Sequence, residues 1–285
     1  MSKIAFWIRR TGEIARRDGI LAVPGAIWRG FRFRFYNVWT RDHRWQGRLV
    51  ELFGNRWRVD GATFRVDNPA IATRHKALLF NGIYELPERR LLAKHFPCDI
   101  PLIELGGCIG VLACLSNRRM KEREKHLVVE ANPRLIPTLE QNRDANQCRF
   151  HVVQAAVAYS PEGTVTFDEG AFTSGIVDQA GSLTVPARSL ESLATEAGFD
   201  RFDLICDIEG AEQELLKNEG EFLQAHVRRL LIEMHPTLLG EKAVSKLRDR
   251  LRSLGFTYIE SDRTVDCHVN PKHDLQKHLP AANAG

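Results

Sequence analysis

The sequence predicts an α/β protein built on an open, doubly wound, mostly parallel sheet that ends in an antiparallel hairpin. Three observations carry this. From Pro101 onward, short apolar runs alternate with helix-length amphipathic stretches. The runs are continuously apolar instead of alternating, which marks strands covered by helices on both faces. The last two runs are separated only by residues 261–264. A parallel crossover needs a dozen residues or more, so that pair must be antiparallel.

Taken in order, residues 1–55 read as a basic, aromatic, helical extension with breaks near Gly19 and at Pro24-Gly25. Residues 56–100 are expected to cap the core. They begin with a hairpin in which alternating residues flank Asp60-Gly61, a favoured tight-turn pair. Helices over 70–81 and 87–96 follow, the second with Pro87 in its first turn. Residues 101–270 form the α/β unit, with strands expected at 101–105, 126–130, 150–154, 202–207, 228–235, 256–260 and 265–269. Helices are expected between them at about 109–120, 133–145, 189–197, 211–225 and 241–254. The polar tail, 271–285, is expected to fray.

Composition bounds the function. The 285 residues are 44% hydrophobic and 27% charged, which leaves ample material for a core. The net charge of +4 is unevenly spread: residues 1–58 hold 13 Lys and Arg against 4 acids, and all five Trp. The longest apolar run, residues 105–115, contains three glycines and falls well short of the roughly 20 residues of a membrane span. Arg9 and Arg10 interrupt any signal-type stretch. The six cysteines form no CxxC pair and match no zinc spacing. Scattered cysteines suit a reducing compartment, so a cytoplasmic location is expected.

The chemistry concentrates where the first strand of the α/β unit meets its helix, at Ile103-Glu104-Leu105-Gly106-Gly107-Cys108-Ile109-Gly110. Gly106 permits a tight turn; Gly107 and Gly110 allow a ligand close to the backbone. The helix start offers free N–H groups to a carboxylate or phosphate. Glu130, with Asn132 behind it, closes the second strand, where an acid can accept hydrogen bonds from ribose hydroxyls. Loop, strand end and acid in that order indicate a nucleoside-bearing cofactor. The loop is E-x-G-x-x-x-G, and Glu104 would repel a pyrophosphate but suits an ammonium group. S-adenosylmethionine carries an ammonium, a carboxylate and a ribose without phosphate. Gln154, Ala155 and Ala156 after the third strand offer a border for the adenine.

These stretches resemble the FkbM family of S-adenosylmethionine-dependent methyltransferases over about residues 80–270. The resemblance is carried by Gly82-Ile83-Tyr84-Glu85, the glycine loop, Val129-Glu130-Ala131-Asn132-Pro133, Asp207-Ile208-Glu209-Gly210-Ala211-Glu212 and Ile232-Glu233-Met234-His235-Pro236. It implies a class I methyltransferase (Rossmann-like) fold with a seven-stranded sheet. It also implies O-methylation of a sugar, glycolipid or other small hydroxylated metabolite. Glu104, Gly107 and Cys108 stand where the family commonly has Asp and then Gly-Ala-Asn. Ile205 stands where a Lys is common, which removes a cation near the expected site.

In such sheets ligands bind outside the carboxyl ends of the strands, which brings Asp207, Glu209, Glu233 and His235 together. A hydroxyl is a poor nucleophile, so a base or a metal is useful. His235 has the ordinary affinity of a general base, against a bland role bonding to backbone. Asp207 and Glu209, completed by Glu233 or His235, could hold a divalent cation, or Glu209 and Glu212 could simply suit a helix first turn, and the sequence leaves the metal open. Cofactor contacts are expected from Glu104, Gly106, Gly107, Gly110, Glu130, Asn132, Gln154, Ala155 and Asp207, and catalytic roles from His235, Asp207 and Glu209.

For residues 1–55, with Arg32 and Arg34 among Phe31, Phe33 and Phe35, three roles compete. The default is a cap packed on the α/β unit or on a second subunit in a homo-oligomer. Peripheral binding to an anionic inner membrane surface comes next, and nucleic acid last. The partner expected at the site itself is a small-molecule or glycan acceptor. The competing functions are an RNA methyltransferase using the basic segment and a catalytically inactive cofactor-binding protein.

Overall fold

The structure, a computed structural model, describes residues 44–167 and 183–274. Residues 1–43, which hold most of the basic extension, and the tail from 275 lie outside the described residues.

Helix α1 (Arg44–Leu52) packs on α2 (Thr73–Phe80). Gly47 makes the crossing tight, since a Cβ there would lie 2.0 Å from the Thr73 carbonyl oxygen. Between them β1 (Arg56–Val59) and β2 (Ala62–Arg65) form an antiparallel hairpin with Val59 opposite Ala62. Asp60 (φ 45°) and Gly61 (φ 80°) both adopt the left-handed conformation that a two-residue hairpin turn of this kind demands. Trp57 stacks on Phe80 at 4.8 Å, and Trp45 meets the same ring edge-on at 6.2 Å.

After α3 (Leu86–His95) the α/β unit begins with β3 (Leu102–Leu105), α4 (Val111–Asn117), β4 (His126–Glu130), α5 (Ile136–Ala145) and β5 (His151–Gln154). Three short strands follow, β6 (Ala156–Val157), β7 (Thr164–Phe167) and β8 (Leu183–Arg188). The chain continues through α6 (Leu190–Ala197), β9 (Phe202–Cys206), α7 (Glu212–Asn218), α8 (Gly220–His226) and β10 (Val227–Glu233). It then passes through α9 (Pro236–Leu239), α10 (Glu241–Ser253), β11 (Thr257–Asp262) and β12 (Val265–Val269).

The seven expected strands form one sheet in the order β11-β12-β10-β9-β3-β4-β5. The five from β10 to β5 are parallel, and β12 runs antiparallel to both its neighbours. Every residue of β3, β4, β9 and β12 is buried, which is why their sequences lack alternation. Strand order reverses between β3 and β9. The loops leaving those two strands therefore diverge and open a crevice.

The hairpin is tied to the sheet through α5. Asn142 and Asn146, one helical turn apart, present their amides to the free edge of β2. Arg65 N donates to Asn142 Oδ1 at 2.7 Å and Thr63 N to Asn146 Oδ1 at 3.0 Å, with both carbonyls accepting in return.

Two features depart from expectation. The helix expected over 211–225 breaks into α7 and α8 at Glu219. That side chain accepts from Leu190 N and Glu191 N at 2.7 and 2.6 Å, and so caps α6. The small sheet β6-β8-β7 was not expected, because a two-residue strand and a Pro186-containing one carry no periodic apolar signal. Among the described residues, no helix is long and apolar enough to cross a membrane.

Candidate functional site

A cavity of about 420 Å³ lies at the carboxyl ends of the parallel strands, over the β3/β9 reversal. Gly106, Cys108, Glu130, Asn132 and residues 155–157 line one end, from the segments that follow β3, β4 and β5. Glu88, Glu233, Arg263 and Thr264 line the other. Glu85, Asp207 and Glu209 also face the cavity.

The glycine loop is shaped mainly by protein contacts. Gly106 (φ 91°) is so close to the segment after β9 that a Cβ would lie 1.8 Å from the Asp207 carbonyl oxygen. Its N–H and that of Gly107 both donate to Val129 O. A Cβ on Gly107 would meet Val128 at 2.3 Å, and one on Gly110 would meet Leu139 at 2.6 Å. These two glycines therefore serve packing on β4 and α5, not ligand approach. The start of α4 is also engaged, since Leu112 N donates to Glu85 Oε2 at 3.0 Å.

Glu130 is held by two backbone donors. Cys108 N reaches Oε2 and Asn132 N reaches Oε1, each at 2.7 Å. Glu104 is buried and does not line the cavity. Burial and the charge of Asp207 push its carboxyl well above the usual range. Gln154 is exposed at the end of β5 and lies off the cavity wall, while Ala155 lies on it. Ile205 is buried against Leu112 and Leu231 in the core, so the position where a family Lys is common is filled here by packing.

The segment from Asp207 to Glu212 works as a unit. Glu212 is fully buried, and its two oxygens accept from Ile208 N (3.1 Å) and Gly210 N (2.8 Å). This pins the loop with Glu209 at φ 52° and Gly210 at φ 101°. A non-glycine residue held left-handed stores strain that only surrounding structure sustains. Asp207 and Glu209 are thereby presented to the cavity.

His235 ties the unit to the end of β10. Its Nε2 lies 3.3 Å from both Asp207 Oδ1 and Glu209 Oε2, and its Nδ1 lies 3.3 Å from Glu212 Oε1. Burial opposes a charged ring, but the adjacent carboxyls of Asp207 and Glu212 outweigh it and raise the imidazole to about 11. His235 is thus an imidazolium at neutral pH, and it does not line the cavity. Glu209, by contrast, is raised to about 8 by burial and by Asp207. Glu88 is also raised to about 8, by burial and by neighbouring Glu233.

Asp207, Glu233 and His235 each offer one ligand atom within 4.8 Å of the others. They suit a divalent cation only if His235 gives up its proton, because one nitrogen cannot hold both.

Sequence reasoning placed Asp207, Glu209, Glu130, Asn132, Gly106 and Ala155 where they line the cavity. It gave no site role to Tyr84, Glu85, Glu88, Arg263 or Thr264. The motif Gly82-Ile83-Tyr84-Glu85 was the available signal. Tyr84 hydroxyl contacts Cys108 Sγ at 3.1 Å, fastening the turn before α3 to the glycine loop.

Three solved structures place this chain among remote neighbours. Precorrin-6y C5,15-methyltransferase from Geobacter metallireducens is 14% identical (TM-score 0.39, covering 63% of this chain and 84% of that one). Fibrillarin from Aeropyrum pernix, solved with natively bound S-adenosyl-L-methionine, is 12% identical (TM-score 0.41, 64% and 72%). A putative O-methyltransferase from Klebsiella pneumoniae is 11% identical (TM-score 0.38, 64% and 77%). Similarity at this level bears on no activity or acceptor. No curated protein matches the chain. The methyltransferase FkbM domain, as a family profile, matches residues 104–258. The chain belongs to the FkbM methyltransferase family.

As an FkbM methyltransferase it is S-adenosylmethionine-dependent, and the cavity fits that cofactor. Leu135 and residues 155–157 give an apolar wall for a base, and Glu130 beside Asn132 gives acceptors for ribose hydroxyls. The carboxylates Glu85, Asp207 and Glu209 suit a ligand bearing a sulfonium and an ammonium. The volume lies within the usual range for small-molecule sites.

Proposed function

We propose that this FkbM methyltransferase transfers a methyl group to a hydroxyl of a sugar, glycolipid or polyketide-like acceptor. The observation that carries the reading is Glu209. It lines the cavity, is held in a strained left-handed conformation, and has its carboxyl raised to about 8. A carboxylate whose proton affinity lies near neutral pH suits a general base.

When bound, S-adenosylmethionine supplies an already activated methyl group. Glu209 accepts the acceptor's hydroxyl proton at a carboxylate oxygen. Asp207 lines the cavity beside Glu209. His235 is a positioning residue whose imidazolium holds Asp207, Glu209 and Glu212 in one cluster. Near-attack alignment of donor and acceptor then does most of the work.

The test is incubation with the cofactor and a panel of hydroxylated acceptors, reading S-adenosylhomocysteine release and the methylated atom. Methyl on oxygen supports the reading. Folded protein that binds no cofactor by calorimetry, or methyl found only on nitrogen or carbon, rejects it.

A second reading is favoured by the three ligand atoms within 4.8 Å. Asp207, Glu233 and His235 would hold a divalent cation that lowers the acceptor hydroxyl's pKa. Metal retained after dialysis, with turnover lost on chelation, would select it.

A further inference from the structure

Of the carboxyls lining the cavity, Glu88 and Asp207 each keep one buried oxygen without a hydrogen-bond partner among the described residues, and Glu88 is the one carried by α3. It is 6% exposed and lines the cavity, and its Oε2 has no hydrogen-bond partner among the described residues. A buried carboxylate oxygen left unsatisfied is costly, so its position points to a ligand group that satisfies it. Its surroundings are mostly acidic, with one guanidinium, that of Arg263, lining the same end. Glu233 sits beside it, with Oε1 accepting from Thr264 Oγ1 at 2.9 Å, and Glu209 and Asp207 line the same cavity.

Glu88 also belongs to the acceptor end. The ribose and adenine contacts come from the β4 and β5 side of the sheet, whereas Glu233 ends β10 and Thr264 joins β11 to β12. α3, which carries Glu88, is anchored to that same side. Lys94 and His95 bind Glu260 at 2.5 and 2.7 Å, and Arg90 binds Asp262 at 3.3 Å. Glu88 and Thr264 lie outside the stretch the family profile matches, and Glu233 lies within it.

We propose that Glu88 and Glu233 form an acceptor subsite for a protonated amine, so that the acceptor is an amino sugar or a comparable amino alcohol. This deepens the hydroxyl-methylation reading and rests on it. Two carboxylates facing an ammonium recognise it by charge-assisted hydrogen bonds. They also keep its nitrogen protonated and non-nucleophilic, so the methyl group goes to a neighbouring oxygen. An anionic acceptor meets more carboxyls than the single guanidinium of Arg263 and is disfavoured.

The experiment is calorimetric titration of the full chain, loaded with S-adenosylhomocysteine, with D-glucosamine, D-glucose and D-glucuronate. Glucosamine should bind more tightly than glucose by about tenfold or more, and glucuronate should not bind. Glu88→Gln, which keeps the side-chain shape, should abolish the preference while leaving S-adenosylhomocysteine affinity unchanged. Equal binding of glucosamine and glucose, no glucosamine binding, or a preference intact in Glu88→Gln would each overturn the subsite. Methyl found on the amine nitrogen, or binding of Mg²⁺ or Mn²⁺ alone that is lost in Glu88→Gln, would also overturn it. Methylation of a neutral hydroxylated acceptor alongside such a result would leave the O-methyltransferase reading standing. Failure to bind the cofactor product would remove both.

Discussion

His235 separates two mechanisms, because a base must lose its proton at working pH and a structural cation must keep it. Three carboxylate oxygens lie 3.3 Å from its ring nitrogens. Each such contact amounts to roughly 5 kcal/mol at an effective dielectric of 20 when the carboxyl is ionised. Desolvation offsets most of this. Removing the cation nevertheless takes the partner from the fully buried Glu212 carboxyl, and breaking a buried pair costs about 3–5 kcal/mol. His235→Gln should therefore lower the melting temperature on the order of 10 °C near pH 7.

The pH dependence has a definite sign. The folded-state value of about 11 exceeds the ordinary 6.5, so the stabilisation is complete below about 6.5 and fades as pH rises toward 11. The gap between wild type and His235→Gln, followed by circular dichroism melts, should narrow over that window. His235→Lys keeps a cation there and should recover part of both stability and turnover. A wild-type pH–rate inflection near 6.5 that disappears in His235→Gln, with unchanged melting temperature, would refute the imidazolium and restore His235 as the base.

Further outcomes follow from the same contacts. Gly106→Ala places a Cβ 1.8 Å from Asp207 O at a positive φ; cofactor affinity measured by calorimetry should fall at least tenfold with a clear loss of stability, and normal affinity would contradict the loop geometry. Glu209→Gln should lower turnover measured at saturating cofactor by about 10²–10⁴, and turnover in wild type should rise with pH up to about 8. Arg228 donates to Asp203 at 2.9 and 2.7 Å in the sheet interior; Arg228→Met should cost about 3–5 kcal/mol in denaturant unfolding without altering cofactor affinity.

The fold was legible because its signals are local and periodic. The runs at 126–130 and 265–269 coincide with β4 and β12, since strands buried on both faces need uninterrupted apolar sequence. Asp60-Gly61 announced its turn because few other pairs tolerate two left-handed residues. The site was legible where spacing along one strand end was enough, as for Asp207, Glu209 and Glu130. It was illegible where the partner comes from far away in sequence. Glu88 reaches the cavity from a helix that precedes the sheet, and Glu212 looks like any acid in a helix first turn. Gly107 and Gly110 read as ligand-facing, yet their missing Cβ atoms make room for Val128 and Leu139. Sequence reports that a glycine is needed, not which neighbour needs it.

The concentration of acids explains one last expected behaviour. Glu88 and Glu209 are both raised to about 8, burial being the largest cause and Glu233 and Asp207 adding repulsion. Their folded values exceed the ordinary carboxylate value of 4.5, so the stability they lend is complete below about 4.5 and is lost as pH rises toward 8. The free protein is thus strained at the pH where its base must be ionised. The cationic cofactor reverses this at Glu209, by pairing with the ionised carboxylate. At a concentration about 100 times its Kd, any ligand of the folded state adds about 2.7 kcal/mol, or several degrees in melting temperature. Held at one fixed S-adenosylmethionine concentration, the shift should grow between pH 6 and pH 8, because affinity rises as the carboxyls lose their protons. Calorimetry in buffers of different ionisation enthalpy should register proton release on binding at pH 6.5. A thermal shift independent of pH, with no proton released, would mean that the cavity carboxylates are already ionised and that Glu209 is too weak a base for the role assigned to it.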